Sequence, residues 1–211
     1  MDARGFLASL ERDESLVHLR EIPARTSQPG PFPDDVPSLV VDRLGLVGVT
    51  GLYSHQRTAF DAVRAGRNVI VATGTASGKT LVYNLAFAAA AVADPKSTAL
   101  YLFPTKALAR DQLRQVRELK LPQIRAAVYD GDTPRAERPL VRRNANLVLS
   151  NPDMLHAGIL PDHARWADFF LRLSLVVVDE AHVSRGVFGS QVAQVLRRLR
   201  RLVAHYGGDP R

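Results

Sequence analysis

The hydrophobic residues of this chain fall into short apolar runs that alternate with longer segments of helical periodicity. Each run is rich in β-branched side chains and ends in small or polar residues, which is typical of buried strands in a parallel sheet. The segments between the runs repeat apolar residues every three or four positions, as amphipathic helices do. The alternation predicts an α/β domain with a mostly parallel sheet and helices on both faces. The predicted strands are residues 69–72, 99–103, 124–129, 147–150 and 175–178.

The two ends of the chain have patterns of their own. Residues 1–20 show the apolar spacing of an amphipathic helix, and the prolines of residues 22–37 predict an extended linker along the surface. We therefore interpret residues 1–50 as a helix and linker that pack on one domain, residues 51–211. A final apolar stripe predicts a helix over residues 189–206.

Composition narrows the functional classes. A length of 211 residues suits one α/β domain of ordinary size, and the chain has no cysteine for disulfides or thiolate metal sites. No apolar run is long enough to span a bilayer, so we expect a cytoplasmic protein without membrane contact. The net charge of +7 indicates an anionic partner or simply an arginine-rich composition. The basic residues crowd residues 106–143 and 185–201.

The first predicted strand runs into a candidate phosphate-binding loop. Small residues allow consecutive backbone N–H groups to turn towards a phosphate, and Lys79 would reach the outer phosphates of a nucleotide. The Thr80 hydroxyl would ligate Mg²⁺ at the start of a helix. Thr73 replaces the first glycine of the usual pattern. The predicted loop consists of Thr73, Gly74, Thr75, Ala76, Ser77, Gly78, Lys79 and Thr80.

A second candidate site follows the last predicted strand, where Asp179 and Glu180 are adjacent carboxylates. Asp179 suits a hold on the Mg²⁺ of a nucleotide, and Glu180 suits orienting and deprotonating an attacking water. A solvated strand end is the alternative for such a pair. The lysine loop after another apolar strand favours the catalytic interpretation, since phosphoryl transfer needs both parts.

These two motifs carry a resemblance to superfamily-2 DExH-box helicases, in which residues 179–182 (Asp-Glu-Ala-His) correspond to the DEAH box. In particular, the sequence resembles bacterial mitomycin-repair-type helicases and their Lhr-like and RecQ-four-like relatives. Two positions depart from that pattern, where an aromatic residue near Ser184 and a histidine near Gln191 are expected. Beyond the DEAH box, the likeness rests on residues 75–80, 104–109, 150–155 and 185–190.

The resemblance implies a RecA-like P-loop NTPase domain that uses ATP and Mg²⁺ to drive movement along nucleic acid. It places adenine recognition at Gln56, with Tyr53 stacking on the base, and makes His182 the residue that couples ATP to the neighbouring motor domain. Each histidine or glutamine role has a local alternative: Gln56 as a helix N-terminal cap partner, and His182 as a residue hydrogen-bonded beside its strand.

Polar, helix-initiating turns follow three of the predicted strands. Since ligands of open parallel sheets bind beyond the carboxyl ends of the strands, these turns predict a row of phosphate contacts. The expected partner is single-stranded or duplex nucleic acid, with DNA favoured over RNA. For Thr105, a plain helix cap is the rival interpretation. The predicted contacts are Thr105, Lys106, Arg110, Gly131, Asp132, Thr133, Asn151 and Asp153.

The resemblance also predicts that a second RecA-like half is missing and that the sheet is incomplete at the C-terminus. In the family's strand order, a further strand lies between the strand before Lys79 and the strand before Asp179, so we expect a gap there, direct pairing, or a borrowed strand. We expect hydrolysis near background for such a fragment. Two alternatives are a P-loop kinase, for which no acceptor pocket is visible, and a catalytically silent nucleic-acid-binding remnant.

Overall fold

Four parallel strands form the sheet within the residues that the computed structural model describes, which are 3–12, 17–18, 20, 28–74 and 77–211. Their order is β2-β3-β1-β4, so each connection crosses over through helical structure. Since each neighbouring pair is parallel, the carboxyl ends of the strands lie at one edge. The strands are β1 (Thr98–Leu102), β2 (Ala126–Val128), β3 (Leu147–Ser150) and β4 (Leu173–Val178).

The helices account for most of the remaining regular structure. Short segments of other helical types occur at Leu155–Ile159 (π-helix) and at His163–Trp166 and Ala181–Val183 (3₁₀-helices). The α-helices are α1 (Ala3–Arg12), α2 (Ser38–Leu46), α3 (Ser54–Arg64), α4 (Lys79–Ala93), α5 (Lys106–Glu118), α6 (Arg138–Asn144), α7 (Pro152–Met154), α8 (Ala167–Leu171) and α9 (Gly186–Tyr206).

Two hydrophobic cores cover the two faces of the sheet. In β1, Ala99 and Tyr101 pack in a core with residues of α2, α3, α4 and α5, whereas Leu100 and Leu102 pack in a second core with α8 and α9. Successive side chains of a strand point to opposite faces, so β1 serves both cores. The predicted parallel sheet with helices on both faces is confirmed.

The N-terminal segment differs in part from its prediction. Helix α1 ends at Arg12, and residues 17–18 and 20 lie outside any helix, so the predicted helix over residues 1–20 is too long. Most of the proline-rich stretch lies outside the described residues. At its end, Val36 is buried in the core because its apolar side chain packs beside α2. The last residues of the predicted linker thus contact the core of the domain.

Residues 69–72 form no strand, although their apolar, β-branched sequence predicts one. Ile70 is 94% exposed, and no ladder joins these residues to the sheet. They line an open cleft of about 1900 Å³ together with Val176 and Val178 of β4. A strand needs a hydrogen-bonding neighbour as well as a suitable sequence, and the expected gap separates residues 69–72 from β4.

Within the described chain, one residue, Arg211, pairs with the outer edge of β4 through two backbone hydrogen bonds. Arg211 donates its backbone N–H to the carbonyl of Ser174 at 3.0 Å, and Val176 donates to the carbonyl of Arg211 at 2.7 Å. Arg211 thus sits beside β4 and lines the cleft.

Candidate nucleotide and nucleic-acid sites

The lysine loop folds back on itself. Lys79 begins α4, and its Nζ donates to the carbonyl oxygens of Thr73 and Gly74, both at 2.9 Å. The hydroxyls of Thr73 and Ser77 are hydrogen-bonded at 2.6 Å. Gly78 has a φ of 74°, which lets the chain turn into the helix. Thr75 and Ala76, also predicted for the loop, lie outside the described residues.

Strand β4 delivers the Asp-Glu pair to the same cleft as the lysine loop. Asp179 and Glu180 line that cleft with Lys79 and Thr80, so two motifs that are distant in sequence meet in space. The Glu180 N–H donates to Asp179 Oδ1 at 2.8 Å. Glu180 has a φ of 50°, a left-handed conformation that is costly for a residue with a side chain and recurs at functional sites.

Tyr83 holds the other carboxylate oxygen of Asp179 and was not predicted as a site residue. Its hydroxyl donates to Asp179 Oδ2 at 3.0 Å and lies 3.3 Å from Gln112 Oε1 on α5. Burial raises the pKa of Tyr83 well above its usual value, while a hydrogen bond with the Thr80 side chain lowers it and the charge of Asp179 raises it further. The phenol is therefore protonated at neutral pH and acts as a donor.

His182 makes a local contact beside the Asp-Glu pair. Its Nδ1 lies 3.2 Å from Glu180 Oε2, and its carbonyl accepts a hydrogen bond from Arg185 Nε at 2.9 Å. The side chain is exposed at the edge of the cleft. The His182 side chain thus has a local polar neighbour beside its strand, and a coupling role for His182 stays a prediction.

Gln56 supports the lysine loop and caps its own helix. Its Oε1 accepts from the Tyr53 N–H at 2.8 Å, and its Nε2 donates to the Gly78 carbonyl at 3.0 Å. The structure therefore shows the cap-partner role that the sequence leaves open. The ring of Tyr53 is 37% exposed and stacks on His55 at 6.1 Å between ring centres. Adenine recognition by Gln56 and Tyr53 stays a prediction. It requires the Gln56 amide to exchange its hydrogen bonds with Tyr53 and Gly78 for hydrogen bonds to adenine.

His55 is a second residue that sequence reasoning missed. Its Nε2 donates to the carbonyl of Ser77 at 2.9 Å, so α3 holds the lysine loop at two adjacent positions. The only sequence signal is its position next to Gln56. Nothing else in the sequence around His55 indicates that its side chain reaches the lysine loop.

The cleft fits a nucleotide with Mg²⁺. Thr80 and Asp179 line the cleft and offer a hydroxyl and a carboxylate, the hard oxygen ligands that Mg²⁺ prefers. The ammonium of Lys79 is held by neutral carbonyl oxygens, which a charged phosphate oxygen can displace. The buried Oδ1 of Asn84, which also lines the cleft, has no hydrogen-bond partner in the described structure.

The predicted nucleic-acid contacts lie at the same edge of the sheet. They follow β1, β2 and β3, the three strands on the side of the sheet away from residues 69–72. The Thr105 hydroxyl accepts from the Leu108 N–H at 3.3 Å, and Asn151 Oδ1 accepts from the Met154 N–H at 2.7 Å. Both side chains therefore cap helices, as the rival interpretation of Thr105 expects, and phosphate contact stays a prediction.

Asp132 forms ion pairs with Lys106 and Arg110, two of the predicted nucleic-acid contacts. Lys106 Nζ donates to Asp132 Oδ1 at 2.6 Å, and Arg110 donates to Asp132 Oδ2 at 2.8 Å. Gly131 lies beside the Lys106 ammonium, where a Cβ would be 3.8 Å from Nζ. Thr133 instead bonds within its turn, accepting from the Asp130 N–H at 2.9 Å. Asp153 is exposed in the first turn of α7.

The hydrogen bond from Lys106 lowers the pKa of Asp132 below its usual value, against the smaller opposing effect of desolvation. A carboxyl whose pKa falls on folding contributes to the stability of the folded state. That contribution is complete at pH values above the pKa of the carboxyl in the unfolded chain, about 3.9. The contribution is lost as the pH drops through the lowered pKa of the folded state. At neutral pH Asp132 is therefore ionised and holds both cations.

Fold and cleft together define the class of this protein as a RecA-like nucleotide-binding domain. Residues 53–207 match the DEAD/DEAH box helicase family, and the chain belongs to that family. The resemblance to superfamily-2 helicases is thus confirmed, and the P-loop kinase alternative is set aside.

Named relatives agree with this assignment. The chain is 43% identical over 208 residues to the ATP-dependent helicase YprA of Bacillus subtilis, covering 97% of this chain and 28% of YprA. It is 51% identical over 155 residues to the ATP-dependent helicase HRQ1 of Saccharomyces cerevisiae, covering 71% of this chain and 14% of HRQ1. The chain therefore spans less than a third of the length of these relatives.

A solved structure shares the fold over the whole chain. The crystal structure of the DUF1998 helicase MrfA bound to DNA and AMPPNP superposes with a TM-score of 0.92 at 42% identity, covering 100% of this chain and 30% of MrfA. Among the described residues of the present protein, no helix is both long and apolar enough to cross a membrane.

Proposed function

We propose that this chain is the ATP-binding motor half of an ATP-dependent DNA helicase, in which hydrolysis drives movement along a strand. The observation that carries the proposal is the meeting of Lys79 and Thr80 with Asp179 and Glu180 in one cleft. A lysine loop and a carboxylate pair in one site provide phosphate binding, metal binding and water activation.

Each residue of the cleft has a distinct part in that chemistry. Lys79 would bind the outer phosphates, and Thr80 and Asp179 would hold Mg²⁺, which when bound would supply positive charge against the phosphate oxygens. Glu180 orients the attacking water and accepts its proton. We propose that His182, whose side chain is exposed at the edge of the cleft, transmits the nucleotide state to a neighbouring domain.

DNA is the proposed track. The turns after β1, β2 and β3 lie at the edge of the sheet that also carries the cleft, and Lys106 and Arg110 provide two exposed cations there. Contacts to phosphates fix position without reading sequence. The MrfA structure, which matches all of this chain with 30% of its own length, was solved with DNA bound. This supports DNA over RNA.

A second RecA-like half would complete the motor. The chain covers 28% of YprA and 30% of MrfA, so a longer protein has room for such a half. In motors of this kind an arginine from the partner half completes the phosphate site and contributes roughly 10³ to 10⁵ in rate. We therefore propose that the 211 residues bind ATP and DNA but hydrolyse ATP slowly by themselves.

Coupled binding tests this proposal against the silent-remnant alternative. The affinity of the purified chain for a labelled single-stranded DNA is measured by fluorescence anisotropy, with and without Mg²⁺ and AMPPNP. A motor half predicts that nucleotide changes the DNA affinity and that DNA changes the nucleotide affinity by the same factor. DNA affinity that is identical with and without nucleotide, together with no nucleotide binding, would identify a remnant.

A further inference from the structure

Tyr83 connects the nucleotide cleft with helix α5. It sits one helical turn after Thr80 on α4, so its side chain shares the face of the helix that carries the predicted metal ligand. Its hydroxyl reaches across to Asp179, the residue that follows β4, and to Gln112 on α5. The phenol therefore contacts the predicted Mg²⁺ ligand Asp179, and Thr80, the other predicted ligand, lies one helical turn before Tyr83.

The phenolic proton has one best acceptor. It can be donated to either Asp179 or Gln112, and the contact with the carboxylate is shorter, at 3.0 Å against 3.3 Å. A hydrogen bond to a charged acceptor is also stronger than one to a neutral amide. With the phenol donating to Asp179, the Gln112 amide can turn its NH₂ group towards the phenol oxygen. In that amide orientation the hydrogen bonds run in one direction, from Gln112 through Tyr83 to Asp179.

Gln112 connects this chain to the nucleic-acid side of the domain. It is buried on α5, the helix whose first turns carry Lys106 and Arg110. A buried side chain on a packed helix moves with that helix. Any displacement of α5 by nucleic acid would therefore reach Tyr83 and, through it, the carboxylate of Asp179.

We propose that Tyr83 is a positioning residue for the Mg²⁺ ligand Asp179, and that its contact with Gln112 ties this ligand to α5. The inference rests on the proposed function, since it assigns a role within the same nucleotide site. Asp179 Oδ1 accepts from the Glu180 N–H and Oδ2 from the phenol, so the two contacts fix the plane of the carboxylate. Residues that orient a metal ligand in this way typically contribute 10- to 100-fold to metal affinity.

The test is a Mg²⁺ titration of AMPPNP binding to the full chain by calorimetry, beginning in excess chelator. Tyr83→Phe keeps the ring and removes the hydroxyl. It is expected to leave metal-free AMPPNP affinity within about two-fold of wild type, because Lys79 is intact, and to raise the half-maximal Mg²⁺ concentration by about 10-fold. An unchanged Mg²⁺ response would overturn the inference.

Tyr101→Phe is the matched control. The Tyr101 hydroxyl donates to the Tyr83 carbonyl at 3.0 Å and the two rings pack edge to face, but the hydroxyl makes no contact with Asp179. The same atom is removed from a neighbouring buried tyrosine, so a general loosening of the core would affect both variants equally. The inference predicts a normal Mg²⁺ response for Tyr101→Phe, and an equal loss in the two variants would contradict it.

A double-variant comparison tests the link to α5. Gln112→Leu should raise the half-maximal Mg²⁺ concentration in the same direction as Tyr83→Phe, and by less. Because Gln112 acts through the phenol, adding Gln112→Leu to Tyr83→Phe should produce no further loss. Additive losses would show that Gln112 acts independently of Tyr83 and would overturn the α5 link.

Lys79→Ala separates this inference from the proposed function. Loss of metal-free AMPPNP binding in Lys79→Ala, with a wild-type Mg²⁺ response in Tyr83→Phe, would reject only the role of Tyr83. Wild-type AMPPNP binding in Lys79→Ala would reject the nucleotide site itself.

Discussion

Lys106 donates a hydrogen bond to Asp132 at 2.6 Å, so a cation predicted to contact DNA is already held by a carboxylate. Arg110 donates to the other oxygen of the same carboxylate. Asp132 thus takes the place that a backbone phosphate would occupy between the two cations. Phosphate binding at this point requires the two side chains to exchange Asp132 for DNA.

Removing the charge of Asp132 should strengthen DNA binding. Asp132→Asn keeps the shape of the side chain but weakens its hold on Lys106 and Arg110, which frees both cations for phosphates. We expect the affinity for single-stranded DNA to rise about two- to five-fold at low salt, since exposed ion pairs are individually weak. Fluorescence anisotropy with a labelled oligonucleotide measures the change.

Asp111→Asn is the control for that experiment. It makes the same change in the net charge of the protein, but Asp111 lies on α5 and pairs with Arg114 and Gln115 of that helix. An equal rise in both variants would assign the effect to net charge. A fall in affinity for Asp132→Asn would mean that Asp132 orders the cations for binding instead of competing with the phosphates.

Salt should weaken DNA binding steeply. If the row of turns neutralises about four phosphates, the logarithm of affinity should fall with the logarithm of salt concentration at a slope near −3. Replacing Lys106 and Arg110 together by alanine should reduce the magnitude of that slope by about 1.4, because two contacts are removed. A flat dependence in the wild type, or an unchanged slope in the double variant, would show that the turns are structural.

The isolated chain should hydrolyse ATP near background, with or without DNA. The physical reason is that hydrolysis is proposed to depend on an arginine from a second RecA-like half, which stabilises the charge of the transition state. Steady-state phosphate release from wild type and Glu180→Gln measures this. Robust DNA-stimulated turnover that disappears in Glu180→Gln would mean that the chain hydrolyses ATP without a second half.

Local sequence patterns predicted the parts of the site that depend on neighbours in the chain. Lys79 follows small residues at a helix start, and Asp179 follows a β-branched run, so both could be placed at strand or helix ends from the sequence. Thr105 and Asn151 were likewise predictable as residues that begin helices, because capping is decided within one turn.

The contacts that depend on strand order could not be predicted in this way. Tyr83 lies at helical spacing from Thr80, but its meeting with Gln112 and Asp179 requires β4 beside β1 and α5 packed against the same face. Residues 69–72 illustrate the reverse case. Their composition favours a strand, yet the structure leaves them unpaired because the neighbour that would supply hydrogen bonds is absent from that side of β4 within the described residues.

Thermal unfolding with Mg²⁺ and AMPPNP tests the central claim, nucleotide binding by Lys79, most directly. At a free ligand concentration 100 times its Kd, a bound ligand stabilises a fold by about 2.7 kcal/mol, so the wild-type melting temperature should rise clearly. Lys79→Ala should abolish the rise, whereas Lys96→Ala, an equal change of charge in the exposed turn before β1, should retain it. Equal stabilisation of wild type and Lys79→Ala would contradict the account.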